Sequence, residues 1–268
     1  MVAKFLAIAA ACALLPVLCA GSRWHLAKEG GPFPAEVAGE GCDALIERYA
    51  APPVRSSPPR QMPTELVPGY TMDGRIEVGD FFVDDTIGGK GSHYKYRRQD
   101  IDHMVKAAGS ALQQRGRGGR KNEAWVVEAL SGVQGHVDGA AALVFGSMEP
   151  WYEAMLVAAG AATVTTAEYN QLTYDHPQVT TVLPSELPAK LPESGGFDIA
   201  LSISSFDHDG LGRYSDPLGP NNDLRAMKTA RCFLKPGGIM LLTIPIGPDA
   251  VVWNLHRRYG KHRCDQMM

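Results

Sequence analysis

FDIALSISSFDH, residues 197–208, and LKPGGIMLLTI, residues 234–244, carry the reading of this chain. The first is an apolar run that ends abruptly in serines, an aspartate and a histidine. The second turns through a proline and two glycines into another apolar run, a pattern that stops a helix and feeds a strand. Between them, 223–234 reads as a helix, so the expected order is strand 197–203, helix, strand 239–246. Working upstream, 179–183 and 162–167 read as strands, 151–159 as a helix and 143–145 as a short strand. Strands alternating with helices point to βαβ units in a mostly parallel sheet, an α/β Rossmann-like architecture.

Further from this stretch the signals weaken. Ile101, Met104, Val105, Ala108 and Leu112 recur at spacings of three and four and predict a helix, and 123–130 predicts a second. Residues 69–96 are glycine-rich and irregular, with 81–83 as their one expected strand. Residues 30–68 are broken by prolines and read as a linker, with one or two helical turns at 44–49. At the start, Lys4 precedes an apolar run from Phe5 to Leu18 and then small residues, the layout of a signal peptide. That run falls short of the roughly 20 residues of a membrane span, although an uncleaved anchor has the same layout. The expected organisation is a signal peptide or anchor over 1–20, a Pro-rich linker over 21–68, an extension with two helices over 69–137 and a Rossmann-like domain over 138–268. The protein is expected in the secretory pathway or outside the cell.

Composition excludes some functions. With 268 residues, 45% hydrophobic, 21% charged and a formal net charge of -3, the chain suits a soluble globular protein and offers no general attraction to nucleic acid. The basic run 115–121 reads as a solvated loop. Cys12 and Cys19 belong to the leader. Cys42, Cys232 and Cys264 are too scattered for a disulfide framework or a zinc pattern, and Cys232 reads as a buried thiol on a helix. Adjacent Asp207, His208 and Asp209 do not converge on one ion, so no metal is expected.

Ligands of such sheets bind beyond the carboxyl ends of the strands, where strand order reverses. The turn after the first strand is Gly146-Ser147-Met148-Glu149-Pro150-Trp151, with one glycine for close backbone approach and a proline suited to a helix start. Glu168 closes the second strand and reads either as a solvated strand-end carboxylate or as an acceptor of hydrogen bonds from both hydroxyls of a ribose. His208 follows the fourth strand and is either a general base or a fastener of the next loop. Arg213, in that loop, pairs either with an anionic substrate group or with Asp216 or Asp209.

The stretches 197–208 and 234–244 resemble the fourth and fifth strands of class I S-adenosylmethionine-dependent methyltransferases. The chain from about Tyr70 onward also resembles the family catalogued as domain of unknown function 268. That likeness rests on Tyr70 to Gly74, Gly91 to His93, Gly146-Ser147 with Pro150-Trp151, Glu168 to Asn170, Asp175 to Pro177, Ser204-Ser205, His208 to Tyr214, Asp216-Pro217 and Asn254 to Gly260. The methyltransferase resemblance implies S-adenosylmethionine as cofactor. Gly146 and Ser147 would approach its methionine part, Glu168 its ribose, and Ser185, Glu186 and Leu187 its adenine. Asp207 and His208 would face the sulfonium and the acceptor, with His208 as base, and Arg213, Tyr214 and His256 would meet the substrate, a small molecule or glycan. A nucleotide or nucleotide-sugar binder and a degenerate interaction domain share the same fold. The chain departs from the methyltransferase pattern by having a single glycine in the first turn. Only residues 247–268 follow the fifth strand, so the fold is expected to be truncated there.

Overall fold

The computed structural model describes residues 33–52, 54, 56–114 and 121–267, without the side chains of 121–123, and of residues 1–32 only the backbone of 3–10, 15–17 and 25–27. The basic run 115–121 therefore lies almost wholly outside the described residues. The N-terminal segment Ala3–Ala10 runs antiparallel to Leu234–Pro245.

The helices are α1 (Ala35–Ala38), α2 (Cys42–Tyr49), α3 (Val67–Thr71), α4 (Arg98–Gln113), α5 (Lys121–Gly132), α6 (Trp151–Ala158), α7 (Asn222–Phe233) and α8 (Lys261–Met267). The strands from residue 33 onward are β1 (Glu77–Phe81), β2 (His93–Tyr96), β3 (Ala141–Phe145), β4 (Thr163–Ala167), β5 (Gln171–Tyr174), β6 (Val179–Val182), β7 (Phe197–Ile203), β8 (Leu234–Pro245), β9 (Ala250–Asn254) and β10 (His256–Arg258). Five of these form an all-parallel sheet in the order β6-β4-β3-β7-β8, as a Rossmann-like α/β fold requires. The chain builds outward from β3 in one direction, then returns to β3's other side with β7. The order thus reverses between β3 and β7.

Both faces of this sheet are covered, which is why its central strands β3 and β7 are buried along almost their whole length rather than alternating. On one face Leu143, Phe145 and Ala200 pack with Leu224, Met227 and Phe233 of α7 and with Val37 of α1. On the other, Ala142, Val144 and Leu201 pack with Ile101 of α4, Val127 of α5 and Met155 of α6. Each fully buried Leu, Met or Phe contributes about 1.5–3 kcal/mol.

Four features differ from the sequence expectations. The strand predicted at 81–83 lies upstream, at Glu77–Phe81, and pairs in parallel with β9. β2 and β5 form an unexpected parallel pair beside the main sheet. Beyond β8 the chain forms β9, β10 and α8. The first two join β1 in a three-stranded sheet, so the end of the chain is built onto the N-terminal extension. Finally, Cys42 and Cys232 form a disulfide across 190 residues, with Cα atoms 5.5 Å apart. Cys232 is therefore not a free thiol, and the stretch read as linker contains a helix bolted to α7.

Candidate functional site

At the reversal point, the ends of β3, β4 and β7 frame a cleft of about 380 Å³. Gly146 follows β3 with φ of 69°, in the left-handed region. A Cβ there would stand 2.0 Å from Ser205 Oγ and 2.7 Å from Ser205 Cβ. Only glycine lets the turn after β3 touch the turn after β7. The Gly146 N–H also donates to Ala167 O at 2.9 Å, which ties that turn to the end of β4.

Glu168, immediately after β4, is 7% exposed and lines the cleft. Its Oε1 accepts the backbone N–H of Asn170 at 3.0 Å and the Asn170 side-chain amide at 3.1 Å. Its Oε2 lies toward Gly146, 3.7 Å from where a Cβ would be. Burial pushes this carboxyl's pKa up. Ser147 is held from below. Its Oγ lies 3.1 Å from Oε2 of the buried Glu153, whose Oε1 accepts the Thr166 hydroxyl at 2.8 Å, and the Tyr174 hydroxyl donates to Ser147 O at 2.8 Å. Burial raises Glu153 to about 7.

The remaining predicted residues divide. His208 and Tyr214 line the cleft, their rings edge-to-face at 5.4 Å. The Nδ1–H of His208 donates to Leu255 O at 2.6 Å, and Nε2 stands 3.6 Å from Asp207 Oδ2. Both ring nitrogens are thus directed at protein groups. Asp207 is buried and does not line the cleft; burial pushes its carboxyl up. His256 lies behind His208, ring centroids 6.5 Å apart. Arg213 pairs with neither Asp216 nor Asp209. Its Nε donates to Asp85 Oδ2 at 2.7 Å, which ties the loop to the N-terminal extension. Ser185 and Glu186 are exposed on the 3-10 turn Pro184–Lys190, where Glu186 Oε2 accepts the Leu183 N–H at 2.8 Å. Leu187 is in the core. None of these three lines the cleft.

Several cleft residues were not singled out from the sequence. Tyr49 of α2 reaches in from a stretch read as linker and packs edge-on against Phe145 at 5.9 Å and Phe233 at 6.1 Å. The disulfide joins the first residue of its helix to α7. Asp216 organises the loop over the cleft: Oδ2 accepts the N–H groups of Gly210 and Gly212 at 2.8 and 2.9 Å, and Oδ1 that of Tyr214 at 3.1 Å. Tyr70 donates to Gly210 O and accepts the Gly219 N–H at 3.1 Å. Arg257 donates to Asp209 O at 2.6 Å and to Gly219 O and Pro220 O at 3.3 Å. The loop is thus clamped from both ends of the chain.

A family model described as "Caenorhabditis protein of unknown function, DUF268" matches residues 139–268. That stretch, a little under half of the chain, is similar to this family. The match spans β3 to α8 and so holds every cleft residue except Tyr49. Among curated proteins, none matches the chain. No described helix is long and apolar enough to cross a membrane.

Proposed function

We propose that this chain is an S-adenosylmethionine-dependent methyltransferase acting on a small acceptor in the secretory pathway. The observation that carries the reading is Glu168: one carboxylate oxygen is tied by Asn170, and the other lies on the cleft side, across from the Gly146 turn. A strand-end carboxylate beside a tight glycine turn at the reversal point suits a ribose. Gly146 leaves room for the methionine part, Glu168 would hold the ribose hydroxyls, and Ser147 is locked in place by Glu153 to shape the turn. The segment 185–187 stands off the cleft and takes no part in this reading. When bound, the cofactor supplies a methyl group on a positively charged sulfonium.

Electrostatics favours this ligand over a nucleotide sugar. Glu149, Glu168, Asp209 and Asp216 line the cleft, and among the described residues no lysine or arginine does. A pyrophosphate would meet four acidic side chains and no cationic one, whereas a sulfonium meets acidic side chains and aromatic faces. His208, with both nitrogens engaged, acts here as a fastener that holds the following loop to Leu255. The leader-like start and the Cys42–Cys232 bridge together support an oxidising compartment.

Titration of the whole chain with S-adenosylhomocysteine, with Glu168→Ala as comparison, tests the proposal. Hydrogen bonds to a charged group contribute roughly 1.5–3 kcal/mol each, so the variant should bind at least about tenfold more weakly. Wild-type protein that ignores millimolar ligand, or a ligand affinity indifferent to Glu168, would sink it.

A further inference from the structure

We infer that the acceptor is an amine, bound as its ammonium ion between Asp209 and the rings of Tyr49 and Tyr169, and that Asp209 takes its proton. The fate of the freed nitrogen rests on the methyltransferase reading; recognition of the cation does not.

Asp209 is held through its backbone. Its N–H donates to Phe206 O at 3.1 Å, and its carbonyl accepts Arg257 Nη1 at 2.6 Å. No hydrogen bond within the described residues engages its carboxylate, and the residue lines the cleft. The phenols of Tyr49 and Tyr169 have raised pKa values, first through burial and then through the charge of Asp209, which puts that carboxylate within electrostatic reach of both rings.

Of the other acid–base groups lining the cleft, Glu149 is an exposed residue, and Asp216 and His208 are engaged. Asp216 accepts three backbone N–H groups, and the ring nitrogens of His208 face Leu255 O and Asp207. Arg257, behind the loop, is committed to backbone carbonyls and stands 3.7 Å from Asp223. A positive ligand group is therefore the charge that this cleft compensates, with carboxylates on one side and aromatic faces on the other. An ammonium also brings the proton that must leave before its nitrogen reacts. The N–H bond breaks, the proton passes to the Asp209 carboxylate, and the nitrogen keeps the electron pair needed to form a new bond to carbon. Asp209 later returns the proton to solvent. Burial of Asp209, together with the neighbouring Asp216, raises its pKa well above the usual carboxylate range because its negative charge lacks compensation, which an ammonium beside it supplies.

Calorimetric titration of the full, oxidised chain with 2-phenylethylamine and with phenylacetate compares one ring carrying opposite charges. The amine should bind at least tenfold more tightly without any cofactor. Asp209→Asn should cost the amine at least tenfold, and Asp209→Glu should retain most of the affinity. Equal or tighter binding of phenylacetate overturns the inference, as does an unchanged amine affinity in a folded Asp209→Asn protein. The wild-type ratio decides the matter even where that variant does not fold. S-adenosylhomocysteine titrated into the same samples separates the two readings: its failure to bind removes the methyltransferase reading and leaves the charge preference standing.

Discussion

Replacing Cys42 and Cys232 together by serine removes a crosslink between residues 190 apart. In the chain-entropy account, closing a loop of that length lowers the entropy of the unfolded chain enough to stabilise the fold by about 5 kcal/mol. Engineered and native bridges often deliver less, and a domain's total stability is only about 5–15 kcal/mol, so a loss of even 2–3 kcal/mol would be conspicuous. A local effect adds to the global one. Cys42 opens α2, Tyr49 ends it, and Tyr49 packs on Phe145 and Phe233 at the cleft. Without the bridge, α2 is still held by Leu45, and Lys228 still donates to the carbonyls of Val37 and Glu40. We therefore expect a folded protein with a lower urea midpoint, a larger m-value because the unfolded chain expands, and weaker ligand binding. The double serine variant, rather than a reductant, isolates this one bond. Two results would refute the reasoning: peptide mapping of the non-reduced protein that finds Cys42 and Cys232 unpaired, or a variant whose midpoint and binding match wild type.

Other perturbations follow from single contacts. Gly146→Ala should abolish ligand binding and cost about 1–3 kcal/mol for the left-handed backbone alone, before the contact with Ser205 is counted; a variant that melts and binds like wild type would contradict the close approach. Glu153 has a folded pKa of about 7, raised by burial above its unfolded value, so its contribution is fully present below about pH 4.5 and is lost as pH rises through 7. Glu153→Gln should therefore raise the melting temperature relative to wild type at pH 8 and give no such gain at pH 4, and equal effects at both would exclude it as the titrating group. Asp223→Ala leaves Arg257 and Arg263 buried without their shared carboxylate and should cost about 3–5 kcal/mol in denaturant unfolding. Arg213→Ala severs the Asp85 contact and should loosen the loop over the cleft, read as faster amide exchange at Gly210 to Ser215 with little change in global stability.

What could be read directly from the residues is local. The strand at 197–203, its helix and β8 are visible because length, apolar runs and the Pro-Gly-Gly turn each constrain a short piece of backbone on their own. Gly146 and Glu168 are legible for the same reason, since each sits where a strand must end and another element begin. The parallel pair of β2 and β5 escaped because two four-residue strands carry little periodicity, and only their pairing makes them a ladder. β1 escaped because Glu77–Phe81 is exposed on most of its length and becomes a strand only against β9.

Everything that closes the cleft depends on residues distant in the chain, and no local pattern encodes their meeting. Tyr49 is an ordinary aromatic in a proline-broken stretch until the bridge from Cys42 to Cys232 fastens its helix against α7. Arg213 has Asp216 and Asp209 as sequence neighbours, yet Asp216 is already saturated by backbone N–H groups, so the guanidinium turns to Asp85. His208 reads in sequence as either a base or a fastener, and the return of Leu255 O to within 2.6 Å of Nδ1 makes it the latter. The sequence by itself determined the α/β alternation and the two strand-end residues that mark the cleft. Which carboxylate stays unpaired inside it was decided only by tertiary structure, because hydrogen-bond saturation is a property of the assembled neighbourhood and not of any one stretch of chain.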